Sequence, residues 1–353
     1  MYRHFIRPIL FLFSPEVIHH LLTGTLRFLF RIPGIPWLVR SIYAVRDPLL
    51  KTHFLGMEFR NPVGLSAGFD KNGEVFNEFS DFGFSHIEVG TVTPIGQPGN
   101  PRPRSFRIPR DKGLINRMGF NNHGVEALVE RVSNKRRPGV ILGGNIGKNT
   151  LTANDQAVDD YATCFSALYG HVDYFVVNVS CPNISDLHEL QDQDGLEAIL
   201  GRLAGLRQAE KEYTPILLKI SPDLNKSQID TSLDIVDKFG IDGIVATNTT
   251  IKRDGLKTPD ARISDIGNGG MSGSPITERS LEVVRYIADK TGGKLPVIGV
   301  GGIMKVEDAL NMLDAGASLI QVYTGFIYNG PGFIRKINKA ILERRKAGIS
   351  FSN

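Results

Sequence analysis

Cysteine is nearly missing: the 353 residues contain two, Cys164 and Cys181, with no CxxC spacing. That scarcity excludes a disulfide framework and a structural zinc site, and it fits a reducing compartment. The eight histidines are scattered, so no cluster has metal-ligand spacing. Nucleotide loops are lacking too. GVGGIM at 299–304 does not have GxGxxG spacing, and GGNIGKN places Leu142 and Asn149 where a Walker A loop needs Gly and Ser or Thr. No basic run marks a nucleic-acid surface. No uninterrupted apolar run approaches the ~18 residues of a spanning helix. PILFLF is too short for a secretory signal, and no small-residue cleavage site follows it.

Acids are scarce in one place. Residues 1–46 hold six arginines, no lysine and a single acid, Glu16, so they carry +5, while the other 307 residues sum to −1. This segment reads as a helical hairpin. Ser14 is suited to cap a helix with Pro15 in its first turn, where the missing N–H costs nothing. Val17, Ile18, Leu21, Leu22, Thr25, Leu26 and Leu29 recur at helical spacing, and the helix is expected to end near Pro33-Gly34. An apolar hairpin with an arginine fringe suits an anionic bilayer surface. Such a hairpin also serves to cap a core, and the segment alone leaves both readings open.

From Asn61 onward, short Val- and Ile-rich runs alternate with polar, helix-like stretches. Eight candidate strands lie at 62–68, 86–91, 139–147, 173–180, 215–221, 243–249, 296–302 and 318–325. Each is continuously apolar, as parallel strands buried on both faces are. Helical segments are expected at 153–169, 196–212, 226–239, 278–290 and 306–315. Eight such units predict an α/β chain with the (β/α)8 TIM-barrel fold, extended by the N-terminal hairpin. A doubly wound open sheet is the alternative, weakened by the missing dinucleotide loop. The expected division is a hairpin unit over 1–46 and a catalytic barrel over 47–353.

Barrel chemistry gathers at the C-terminal strand ends, and polar residues crowd those ends here. Asp70 and Lys71 follow strand 1, Thr91 strand 2, Asn145 strand 3, NVSCPN strand 4, Lys219 strand 5, TNTT strand 6, VGG strand 7 and YTG strand 8. Lys219 sits in the apolar run ILLKIS, where a buried ammonium needs an anionic partner: a bound negative group or an internal acid. Gly301-Gly302 and Tyr323-Thr324-Gly325 stand where barrels bind phosphate. Asn116, Asn145, Asn178, Asn183 and Asn248 offer uncharged donors and acceptors suited to a planar heterocycle.

Taken in order, AGFDK, FGFSHIEVGTVTP, QPGNPRPRSFR, GLINRMGFNN, NIGKN, NVSCPN, LKISPDL, ATNTT, GGMSG, VIGVGGI and GASLIQVYTGFIYNGPG resemble the dihydroorotate dehydrogenases. The hairpin makes the resemblance closest to their quinone-linked, membrane-associated class 2 branch, and the match runs essentially end to end. It implies an FMN-dependent oxidation of dihydroorotate to orotate in pyrimidine synthesis, with a membrane quinone as acceptor. It implies that Ala67, Gly68, Thr91, Asn145, Asn178, Lys219, Thr247, Gly273, Gly302, Tyr323 and Thr324 contact FMN. Lys71, Asn116, Arg117, Met118, Gly119, Phe120, Asn178, Asn183, Asn248 and Thr249 would hold the substrate, and His19, Arg107 and Tyr323 would line a quinone tunnel. The implied location is peripheral, on the cytoplasmic face of the inner membrane, with the anionic bilayer met by residues 1–40 and no obligate protein partner.

One position departs from the pattern. Cys181 occupies the place of the base that removes a proton from carbon 5, where class 2 members carry Ser and soluble class 1 members carry Cys. A thiol, with a reference pKa of roughly 8.5, is competent there, and Ser180 is the substitute. Fumarate, a class 1 acceptor, is therefore the alternative to quinone. The polar stretch 185–194 is expected to form a lid. A Schiff-base aldolase using Lys71 or Lys219 and a non-catalytic membrane-recruited module are the rival readings from other classes.

Overall fold

A computed structural model describes residues 2–180 and 193–351. Eight parallel strands close into a barrel: β1 (Val63–Asp70), β2 (His86–Val92), β3 (Ile141–Ile146), β4 (Tyr174–Asn178), β5 (Ile216–Ile220), β6 (Gly243–Ala246), β7 (Val297–Val300) and β8 (Leu319–Val322). β8 returns to β1 with Gln321 opposite Gly64, so no barrel edge is left open. All eight expected strands are present, each within a few residues of its expected bounds.

The continuous apolar runs have a simple cause: successive side chains alternate between two buried faces. Outward-facing Leu65, Ile87, Leu142, Phe175, Leu218 and Ile244 pack beneath the helices. Inward-facing Tyr174, Val176, Leu217, Val245, Ile298 and Leu319 fill the barrel. A hairpin of Thr52–Phe54 and Met57–Phe59 closes the floor with Phe54 and Phe59. Large and small residues alternate across this interior. A Cβ on Gly143 would lie 2.3 Å from Tyr174 Cζ, so the tyrosine ring fits only over a glycine.

The five expected helices form at Ala157–Leu168, Gln193–Gln208, Lys226–Lys238, Thr277–Thr291 and Val306–Asp314. An antiparallel sheet of Ser105–Ile108, Gly113–Asn116 and Gly270–Gly273 stands over the C-terminal mouth.

The N-terminal segment forms three helical pieces where two were expected. A tight turn at Tyr2–Ile6 runs into Arg7–Phe11, then come α1 (Pro15–Leu29) and α2 (Ile35–Tyr43). Ser14 Oγ accepts from the Val17 N–H at 3.3 Å, as its capping role requires. α1 stops at Leu29, short of Pro33. Gly34, at φ +90°, then starts α2 with Pro36 in its first turn, a position that Pro tolerates.

This extension packs beside the mouth, against segments that follow β1 and β8. Tyr2 donates its hydroxyl to Ile327 O at 2.7 Å, and Arg7 Nη1 donates to Tyr328 O at 3.1 Å. The expected arginine fringe is partly drawn onto the barrel, while Arg31 and Arg46 stay exposed. Arg3 bonds Asn329, Arg27 lies 3.7 Å from Glu74, and Arg40 Nε lies 2.9 Å from Asp81. Much of what faces outward is apolar. Among the described residues, fourteen of the twenty exposed large hydrophobic residues lie within 1–46, with Leu12 at 82% and the single tryptophan, Trp37, at 70% exposure.

Candidate active site

A cleft of about 960 Å³, partly open to solvent, lies at the C-terminal ends of the strands. β1 supplies Ala67 and Gly68, with Lys71 just beyond, and β2 supplies Thr91. Asn178 comes from β4, Lys219 from β5, and Thr247, Asn248 and Thr249 from the loop after β6. Gly302 follows β7, and Tyr323 and Thr324 follow β8. The overlying sheet and its loop bring Asn116, Met118, Gly119, Phe120 and Gly273. Strand ends converge because the barrel tilts and closes its strands; residues from seven of the eight strand ends thereby reach one wall.

Hydrogen bonds fix most of these amides. Asn178 Nδ2 donates to Thr91 Oγ1 at 2.9 Å. Asn248 Nδ2 donates to Asn178 Oδ1 at 3.1 Å and to Ser180 Oγ at 3.0 Å. Thr247 shares a hydrogen bond with Ser280 at 2.8 Å, and Thr324 one with Ser272 at 2.7 Å. Burial pushes the Tyr323 hydroxyl up to about 12, so it stays protonated, with Gly68 O 3.4 Å away.

Three expected residues stand elsewhere. Asn145 is buried beneath the wall, where its Nδ2 donates to Glu88 Oε1 at 2.6 Å. Arg117 turns away from the cleft: it stacks on Phe106 at 4.7 Å and donates to Asn268 O at 3.1 Å and Pro103 O at 3.2 Å, bracing a loop. Arg107 lines neither cleft. Its Nη1 donates to Phe13 O at 2.7 Å and its guanidinium covers Phe11 at 4.4 Å, clamping the first helix. Cys181, Asn183 and 185–192 of the expected lid lie outside the described residues.

Lys219 has an internal partner. Its Nζ is 3.3 Å from Glu88 Oε1, and both side chains are buried. The ammonium thus has an acid of the chain itself as partner, the second of the two alternatives that the sequence leaves open. Glu88 escaped notice because HIEVGT reads as an ordinary strand, and its partner lies 131 residues away.

A second cleft, about 810 Å³, opens between α1 and the mouth. Pro15, His19, His20 and Thr23 of α1 face Phe69, Leu114 and Ile327 across it. It shares Gly68, Lys71, Asn116, Met118 and Tyr323 with the first cleft, so one wall serves both. His19 meets Phe69 edge-on at 5.3 Å. Burial first, then the charge of Lys71, lowers its pKa to about 4, which keeps the imidazole neutral at pH 7. Glu16, which the sequence marks only as the lone acid of residues 1–46, also lines this cleft.

The donor set suits the flavin nucleotide that the resemblance implies. Among the described residues, Lys71 and Lys219 are the only charged side chains on the first cleft, and both are cationic. Amides and hydroxyls surround them, as a heterocycle with alternating carbonyl and N–H groups requires. At the expected phosphate end, Gly302 has φ +72° and its Cβ would fall 2.2 Å from Thr277 Cα, so only glycine presents bare backbone there.

A family model described as dihydroorotate dehydrogenase matches residues 49–344. A dihydroorotate dehydrogenase (quinone) of Christiangramia forsetii is 50% identical, covering 98% of this chain and 99% of the relative. That of Gloeobacter violaceus is 46% identical over 96% of this chain and 93% of the relative. A crystal structure of DHODH from Eimeria tenella in complex with ferulenol superposes with a TM-score of 0.83 at 32% identity, covering 95% of this chain and 93% of that one.

Proposed function

We infer, from the premise that this chain belongs to the dihydroorotate dehydrogenase family, that it oxidises dihydroorotate to orotate and passes the electrons to a quinone. The relatives named above are quinone enzymes, so fumarate is set aside as acceptor. The observation that carries the reading is the pair of clefts sharing one wall: one lined by amides and ammonium groups, the other opening under the exposed apolar helices.

The family is flavin-dependent, and FMN is the flavin proposed for this site. When bound, it supplies a two-electron acceptor for the hydride leaving carbon 6 of the substrate. The chain does the rest. Lys71 places an ammonium opposite the substrate carboxylate. Asn116, Asn178 and Asn248 present amide edges to the pyrimidine ring, and the hydrogen bonds among Asn178, Asn248 and Ser180 hold those edges in position before substrate arrives. Cys181 takes the proton from carbon 5. Ser180 is a poorer candidate for that task, because its hydroxyl already receives Asn248 and leans on Asn178.

Residues 1–46 form the acceptor-side unit and 47–353 the catalytic barrel. The extension lies on the cytoplasmic face of the inner membrane as a peripheral anchor, with its apolar face in the lipid. Among the described residues no single helix is long and apolar enough to cross a bilayer. His19 and Tyr323 line the route by which the quinone reaches the shared wall.

The test is spectroscopic. Purified protein is expected to be yellow, to bleach anaerobically with dihydroorotate, and to recover colour on adding a quinone. Deleting residues 1–40 should remove the quinone step and spare the bleaching. Equal loss of both would refute the division of labour, and colourless protein would favour the aldolase reading.

A further inference from the structure

Beneath the first cleft, one buried carboxylate gathers donors from three other strands. Glu88 of β2 is fully buried. Its Oε1 receives Asn145 Nδ2 of β3 at 2.6 Å and Lys219 Nζ of β5 at 3.3 Å, and its Oε2 receives Gln321 Nε2 of β8 at 2.7 Å. Lys219 and Gln321 also line the cleft, whereas Glu88 does not reach it. An isolated buried carboxylate is costly, and a barrel interior of this kind is ordinarily filled with branched apolar residues. Replacing a buried ion pair with apolar groups often costs nothing in stability, so stability alone does not account for this one.

We propose that Glu88 is a positioning residue that pins Lys219 under the bound flavin and offsets its positive charge, thereby setting the reduction potential of the site. The proposal rests on the flavin reading above. The ammonium has three donors; the one aimed at Glu88 fixes where the others point. Reduction adds negative charge to the bound ring system, and the field it meets depends on whether the floor beneath it is a neutral pair or a bare cation. At this low dielectric the difference is large. Glu88 therefore keeps the site from holding its electrons too tightly to pass them on.

Glu88→Gln removes the counter-charge and keeps the shape. It is expected to favour the reduced form by at least tenfold, an upward shift of about 30 mV for a two-electron couple, read by dye-linked potentiometry of the bound flavin. Glu88→Asp retains the charge and should stay near the wild-type potential. Yellow Glu88→Gln protein with a lowered Tm and an unmoved potential would overturn the proposal. Colourless wild-type protein would instead overturn the flavin reading on which it stands. Should Glu88→Gln not fold, Lys219→Met tests the pair from the other side: with the cation gone and the carboxylate kept, the balance should move at least tenfold towards the oxidised flavin. A potential left unmoved would mean that the pair does not set it and would overturn the proposal.

Discussion

Glu16 and Arg104, 88 residues apart in sequence, lock α1 to the barrel: Arg104 Nη2 lies 2.7 Å from Glu16 Oε1, and both side chains are nearly buried. Arg102 reaches the same oxygen from 3.2 Å. The one acid of the extension is thus spent on docking it.

Glu16→Ala would leave the buried Arg104 with only the Pro98 and Asn100 carbonyls as acceptors and no counter-charge, and breaking a buried pair costs up to about 3–5 kcal/mol. The cost falls on α1 docking. Limited proteolysis should cut within residues 1–46 faster than in wild type, and quinone-dependent reoxidation should fall while dihydroorotate-dependent bleaching persists. Burial, the largest influence, pushes the Glu16 carboxyl up, but the hydrogen bonds and charges of Arg104 and Arg102 outweigh it and hold it below the ordinary range. A depressed carboxylate contributes stability above its unfolded value and loses it as pH falls through the folded one. Protection of the extension should therefore fade on acidification, and in Glu16→Gln it should be weak at every pH.

His19 gives a second pH dependence with a defined window. Its pKa falls from 6.5 to about 4 on folding, so the unfolded chain binds more protons between those values and stability rises with pH across them. One proton corresponds to at most about 1.4 kcal/mol per pH unit. His19→Phe should flatten the stability profile between pH 4 and 6.5 by up to that slope; an unchanged profile would show that the imidazole is not desolvated by α1.

Cys181→Ala is expected to lower turnover by about 10²–10⁴-fold, the range for loss of a general base. Cys181→Ser should retain activity with its pH profile moved to higher pH, since a hydroxyl is the weaker acid. Wild-type turnover in Cys181→Ala at every pH would transfer the role to another group.

Trp37 reports on the bilayer directly, because it is the single tryptophan and stands largely in solvent. Adding lipid vesicles should shift its emission to the blue and bring it within reach of a brominated-lipid quencher. Emission unaffected by vesicles would mean that α2 does not face lipid.

The barrel was legible because each strand is buried on both faces, which forces a continuous apolar run that periodicity detects. The sheet over the mouth was not: Ser105–Ile108, Gly113–Asn116 and Gly270–Gly273 are four residues each, and the last two begin or end on Gly, so no run is long enough to register. α2 was missed because Pro36 reads as a breaker, although the first turn accepts it. Wall residues such as Lys71 and Asn178 could be read from strand-end position, and the family blocks added the glycines. Neither source revealed what Arg107, Arg117 and Glu88 bond to, since most of their partners, such as Phe13, Asn268 and Gln321, lie far away in sequence and meet them only once the barrel has closed.

The contacts that Arg3, Arg7, Arg27 and Arg40 make with the barrel change what should release this protein from a membrane. Charge that is already answered by the barrel is not available to lipid headgroups, and apolar burial does not weaken as salt rises. A high-salt wash should leave the protein in the membrane pellet, mild detergent should bring it into the supernatant, and vesicles of purely zwitterionic lipid should hold it nearly as well as anionic ones.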